Sequence, residues 1–415
     1  MRTTDALWPK TVRPASSVLT RLRIALTVFF ALDGFLFAGW VVRIPAVKEQ
    51  VGASAGDLGL ALLGVSAGAV ATMLLAGGLC RRFGSPRVTV VTGVLLSLSV
   101  VLPSLVHSPL ALGLVLLVFG VGYGGLNVGM NSLALEVVDA LRRPVMPGFH
   151  AAYSLGGLAG AGLGGLLAPH LPPTPHLLLL VPAGLLATAV AGRVLLAHPV
   201  PRADRLPSGG AADEASDGAS ALRREGARRG GGGRGLVAVF GLIALCTAYG
   251  EGALAEWGAL HIEQDLHAGP GIAAAGYAAV ALAMAAGRLL GTAALERLGP
   301  TTCVVAGGLV ACGGMLLGAL APFLWLVLLG FALTGLGLAN IFPVAIARAG
   351  AISGPSGVAV ASTLGYGGML VGPVCIGFLA EGFGLPRALT TVAALAALAA
   401  WVAFAARNAT AGAAA

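Results

Sequence analysis

Two carboxylates stand where chemistry could start. Asp33 is followed by Gly34 and then Trp40, and Glu251 is followed by Gly252 and then Trp257; both lie within long apolar runs. An acid at bilayer depth costs about 2.5–3.5 kcal/mol on insertion scales and persists where it faces a cavity or a partner. On a helix Phe30, Asp33, Phe37 and Trp40 share one face. An acid among aromatic rings suits a polar solute with an apolar side, such as a sugar. Asp33 is expected to take up a coupling proton, because desolvation penalises the charged form; the structural alternative is an acid tied to a neighbouring amide or arginine. Glu256 lies five residues beyond Glu251, points elsewhere on the helix, and shares a face with Tyr249. His150 carries an imidazole that titrates near neutrality and could relay protons, or could simply sit at the membrane interface. Asn127 and Asn131, four apart, share a face. Their amides donate and accept, which fits hydroxyl-bearing ligands, although helix–helix hydrogen bonding would use the same atoms. Asn340 is the counterpart of Asn127 later in the chain.

The elements that carry these residues follow from composition. The 415 residues are 57% hydrophobic and only 10% charged, with 64 glycines. Water-soluble domains hold about 25% charged residues, so most of this surface must face hydrocarbon. A window of about 20 apolar residues gives twelve spans: 22–42, 58–79, 89–107, 111–134, 149–169, 177–198, 236–259, 271–292, 302–321, 323–346, 356–379 and 388–406. The runs are continuous rather than alternating, which excludes a β-barrel. With the N-terminus inside, 22 of the 25 Lys and Arg residues fall on the cytoplasmic face. The net charge of +8 is therefore an orientation signal, and no nucleic acid partner is expected. Arg288 reads as an interface anchor or a partner of Glu296. Residues 1–21 and 407–415 are expected as cytoplasmic tails. Residues 199–235, polar and rich in Gly and Arg, read as a flexible linker between bundles at 22–198 and 236–406. Gly156, Gly160 and Gly164 form a small-residue row for a close helix contact, and a place for the halves to rock. Pro343 and Gly372-Pro373 are expected to break or kink spans 10 and 11. The five cysteines show no metal or disulfide spacing.

The two halves repeat at a shift of about 215 residues. Arg81-Arg82-Phe83-Gly84 matches Glu296-Arg297-Leu298-Gly299, and Gly122-x-Gly124-x-x-Asn127 matches Gly335-x-Gly337-x-x-Asn340. Duplicated halves with a site between them are typical of secondary transporters. The segment Gly77-Gly78-Leu79-Cys80-Arg81-Arg82-Phe83-Gly84 resembles the loop motif G-x-L-a-D-R-x-G of the major facilitator superfamily, with Arg81 where that motif has aspartate. The Asn127–Asn131 pair and Phe149-His150-x-x-Tyr153-Ser154-x-Gly156-Gly157 resemble fucose-permease-like and uncharacterised bacterial inner-membrane members. The resemblance implies an all-α membrane fold of two six-helix bundles, with a site lined by spans 1, 4, 7 and 10.

The expected activity is transport of a small solute, sugar-like or another small metabolite, by alternating access, driven by a proton gradient and needing no other cofactor. Asp33, Glu251, Glu256 and His150 are the proton-coupling candidates. Phe30, Phe37, Trp40, Asn127, Asn131, Tyr153, Tyr249, Trp257 and Asn340 are the cavity candidates. Gly77, Arg81, Arg82, Gly84, Arg297 and Gly299 form the conformational motif. Proton-driven efflux is the alternative, and a non-transporting membrane sensor the second. The chain carries none of the catalytic motifs of an enzyme. A monomer in the bacterial inner membrane, with both termini cytoplasmic, is expected.

Overall fold

The computed structural model describes residues 15–141, 145–198 and 232–407. The expected tails before residue 15 and after 407, and the linker from 199 to 231, lie outside the described residues. The first half comprises α1 (Ala15–Val41), α2 (Ile44–Gln50), α3 (Ala55–Phe83), α4 (Ser85–Ser99), α5 (Pro109–Leu141), α6 (Met146–Leu167) and α7 (Pro173–Ala197). The second comprises α8 (Gly232–Gln264), α9 (Pro270–Leu298), α10 (Pro300–Leu320), α11 (Leu324–Leu338), α12 (Ile341–Phe383) and α13 (Leu385–Ala405). Helix α8 starts at Gly232, so the last residues of the expected linker are helical.

Eleven stretches among the described residues are long and apolar enough to cross a membrane. The twelfth expected span is α6, whose glycines, His150, Tyr153 and Ser154 dilute its apolarity. Its 22 residues still reach about 33 Å at about 1.5 Å per residue, enough to cross. Large apolar side chains such as Leu74 and Leu110 point outward, a surface that only hydrocarbon would cover.

Local sequence sets the helix ends. Ser54 caps α3 by accepting from the Asp57 amide, and the Asp57 carboxylate accepts from the Ser54 amide. The α3–α4 and α9–α10 corners turn on Gly84 (φ 87°) and Gly299 (φ 77°), each followed by a proline within two residues. Both expected motif glycines therefore sit in backbone that only glycine adopts readily. Span 10 does break near Pro343, at Ala339–Asn340 between α11 and α12. Span 11 is not broken at Gly372-Pro373; the non-helical backbone of α12 lies at Ser353 and Gly354 instead.

The two halves pack alike. Helix α1 lies on α6 and α7, α3 on α5, and α4 on α5 and α7. Correspondingly, α8 lies on α12 and α13, α9 on α11, and α10 on α11 and α13. Between halves, α3 meets α12 and α6 meets α9. These crossings are tight on the side that carries α2: Gly59 abuts the Pro373 carbonyl and Gly377, and Gly165 abuts Gly271 and Ala274. The row Gly156, Gly160 and Gly164 has a different use from rocking. It packs within the first half, Gly156 on the Ala31 backbone, Gly160 on the Phe35 backbone and Gly164 on Val42.

Candidate functional site

The glycine row of α6 is what brings the first polar residues together. Because Gly34 lies against the Tyr153 carbonyl and Gly156 against Ala31, Asp33 on α1 is held close to Tyr153 on α6. Asp33 is fully buried, and neither carboxylate oxygen has a hydrogen-bond partner. The Asn127 amide on α5 lies beside it, outside good hydrogen-bond geometry. The hydroxyls of Tyr123 and Tyr153 share a hydrogen bond of 3.1 Å. Tyr123, Tyr153 and, from the other half, Tyr277 on α9 all lie within electrostatic reach of Asp33. Phe37 stacks on Tyr123 with ring centroids 5.0 Å apart. Phe30 stacks on Phe149 at 5.2 Å and meets the His150 ring edge-on. The arrangement is a buried acid walled by aromatic rings and phenol hydroxyls.

The second half contributes a different arrangement at the matching place. Glu251 on α8 approaches Arg288 on α9, Oε2 to Nη2, at 3.5 Å. The other oxygen, Oε1, is buried without a partner. Arg288 thus reaches into the helix bundle rather than toward Glu296 or the interface, which corrects the anchor expected from the sequence. The physical reason is length: α9 runs to Leu298, well past the expected end at 292, so Arg288 stands ten residues inside the helix. Its charge reaches His150 on α6 across the two halves and Tyr277 on its own helix. Tyr366 on α12 lies within electrostatic reach of Tyr123.

The remaining candidates are placed as follows. Asn131 donates to the Asn127 carbonyl at 2.8 Å, so the pair does share a face. Asn340 donates to the Gly287 carbonyl at 2.8 Å and packs on Gly291, which uses its amide to tie the α11–α12 break to α9. The Tyr249 hydroxyl pairs with Thr391 on α13 at 2.9 Å. Trp40 and Trp257 are fully buried, the latter with its indole nitrogen unpartnered. Glu256 is buried next to it with Oε2 unpartnered. Among the described residues Arg81, Arg82 and Arg297 make no ion pair; Arg82 lies over the Phe83 ring. Gly77 lies near no residue but Arg81. The carboxylate at this corner comes from Glu136 of α5, which accepts from the Ser85 hydroxyl at 3.2 Å.

The sequence reading missed Tyr123, Tyr277, Tyr366 and Arg288. The chain has five tyrosines, and four of them surround this region, so scarcity itself was the available signal. No cluster of His, Cys, Asp or Glu among the described residues has the geometry of a metal site.

Comparison with known proteins agrees with this architecture. The sequence profile of the Major Facilitator Superfamily matches residues 24–254. An uncharacterised MFS-type transporter of Yersinia pestis is 31% identical over 92% of this chain and 94% of its own length. The membrane protein MosC of Rhizobium meliloti is 30% identical over 90% of this chain and 88% of its own. Among solved structures, a bacterial homologue of the human lysosomal transporter Spinster, inward-facing and unoccupied, superposes with a TM-score of 0.76 at 16% identity. It covers 96% of this chain and 98% of its own. A D-xylose–proton symporter gives 0.72 at 16% identity, covering 93% and 97%. The nucleoside transporter NupG, in a point-mutant form, gives 0.70 at 14%, covering 92% and 99%.

Proposed function

The chain belongs to the Major Facilitator Superfamily, and on that footing we propose that it carries a small hydroxyl-bearing solute together with protons. It is a multi-pass membrane transporter and not an enzyme. The solute would bind between α1, α5, α6, α8 and α9, with the halves exposing that site alternately to either side. One observation carries the reading: Asp33 is a fully buried carboxylate without a hydrogen-bond partner, set among tyrosine hydroxyls from both halves. An uncompensated charge there is costly, and a proton removes the cost. Tyrosine hydroxyls and the Asn127 amide supply donors and acceptors for solute hydroxyls. A similar fold serves a D-xylose–proton symporter, which supports the pairing of a polyhydroxylated solute with a proton.

The crossings of the halves at Gly59–Gly377 and Gly165–Gly271 lie on the α2 side. With the termini cytoplasmic in the inner membrane, that side is the outer one, and the site would open inward. The protein would act as a monomer, each chain holding a whole site. The test is uptake by proteoliposomes with an imposed pH gradient, inside alkaline. Accumulation that collapses with a protonophore supports symport. Solute expulsion under the same gradient would replace it with proton-driven efflux. Absence of flux for any solute that binds would sink the transport reading and favour a sensor.

A further inference from the structure

Arg288 has donors to spare. Its single approach to Glu251 is 3.5 Å, longer than the ~2.7–2.9 Å of a charge-assisted hydrogen bond and without the second contact of a bidentate pair. Among the described residues Arg288 forms no hydrogen bond, and its side chain is 33% exposed. A guanidinium carries five N–H donors in a fixed fork shaped for a carboxylate. His150 and Tyr277 stand within reach of its charge from α6 and α9. Tyr277 also senses Asp33, so this phenol links the guanidinium with the aromatic-walled acid. We infer that Arg288 is the anion-binding residue of the solute site, and that the solute is a small hydroxylated carboxylate, a sugar acid or hydroxy acid. This rests on the transport reading above and adds its substrate class.

Charge balance then links the solute to the proton. Among the described residues, Arg288 from α9 is the charged group that acts on Glu251; the same guanidinium reaches His150 from α6 and Tyr277 on its own helix. From the neighbouring α13, Thr391 pairs with Tyr249 on the helix that carries Glu251. With Asp33 neutralised by its proton, Glu251 and Arg288 balance each other. A solute carboxylate that takes the Arg288 donors displaces Glu251 and leaves the site one negative charge in excess in a medium of low dielectric. Glu251, left with Oε1 already unpartnered, then binds one proton from the water on the open side. Glu251 thus adds one proton per solute carboxylate to the one on Asp33, and solute and protons leave together on the other side.

The experiment compares D-gluconate and D-glucuronate with D-glucose and D-glucosamine as stabilisers of the purified full-length protein against heat. The two acids should raise Tm and their neutral and amino counterparts should not. Arg288→Gln should weaken acid binding ~10–100-fold, the loss of a charged hydrogen-bond partner, and Arg288→Lys should recover part of it. Because Arg288→Gln strands Glu251, the double variant Glu251→Gln/Arg288→Gln serves as the folded control and should also reject the acids. Stabilisation by glucose or glucosamine but not the acids overturns the inference. So does a silent panel, or a double variant that binds acids as well as the native chain. The transport reading is judged separately in proteoliposomes. Acids that bind but never cross would refute transport and leave the anion site standing. Proton-driven uptake of glucose alone would do the reverse.

Discussion

Arg43 Nε donates to His176 Nδ1 across 2.7 Å, and both side chains are buried. Arginine can only donate, so this ring must be neutral with its proton on Nε2. The second guanidinium nitrogen, Nη2, and His176 Nε2 have no partner. Glu263, at the end of α8 in the other half, acts on Arg43 electrostatically, with Glu49 of α2 near it. The α1–α2 link is thereby pinned to α7 and drawn toward α8.

Removing the acceptor should hurt more than removing the donor. His176→Phe strands a buried guanidinium and should cost about 3–5 kcal/mol. Arg43→Met leaves only a neutral ring and should cost about 1 kcal/mol. Thermal denaturation in detergent ranks the two; equal or reversed losses would show that the bond does not organise this region.

The same pair gives a pH dependence with a definite sign. Burial lowers Arg43 to about 10, so the guanidinium stays charged throughout the physiological range and its desolvation cost is relieved only above about 10. The variable at lower pH is the ring. Once protonated, His176 can no longer accept, so stability should fall on acidification through the imidazole range in the native chain. The fall should be smaller in Arg43→Met, where burial alone still penalises the charged ring, as melting curves at a series of pH values would show.

Asp33→Asn removes a buried carboxylate that has no hydrogen-bond partner while keeping its shape. Thermal stability should hold or rise, whereas pH-driven accumulation should be lost and solute exchange at equal pH retained. Preserved accumulation in the variant would take Asp33 out of proton coupling.

Crowding separates the glycines of α6. Gly160 abuts the Phe35 backbone, while Gly162 has open space where a side chain would go. Gly160→Leu should cost at least about 1–3 kcal/mol through overpacking, and Gly162→Leu should be nearly neutral. Comparable Tm values for the two would mean that α1 and α6 do not pack this closely.

Much of this was legible in the sequence because the bilayer imposes length and apolarity on every span, and those are visible residue by residue. The span lost to apolarity alone, α6, was the one whose glycines serve backbone contact. Asp33 and Asn127 were found because an acid or amide in an apolar run stands out, and Tyr153 because it falls in a segment that resembles family members. Arg288 was misplaced because Glu296 and Arg297 mark a membrane boundary in the sequence, which ended the span at 292 and moved the arginine to the rim. Asn340 matched Asn127 in the repeat, yet its amide bonds the Gly287 carbonyl. A repeat preserves position, but which neighbour an amide meets depends on packing that has since diverged. Tyr123, Tyr277 and Tyr366 escaped notice because a phenol costs little in a membrane helix and leaves no anomaly in hydropathy.

The backbone contact between α1 and α6 has a mechanical consequence. With Gly34 against the Tyr153 carbonyl and Gly156 against Ala31, no side chain acts as a spacer or a hinge at this crossing. Asp33 and Tyr153 must travel as one block in any motion of the halves. That makes the α1–α6 wall a fixed jaw, and leaves adjustment to a solute's size and shape to the opposing wall, where Glu251 and Arg288 meet through long side chains that can reorient.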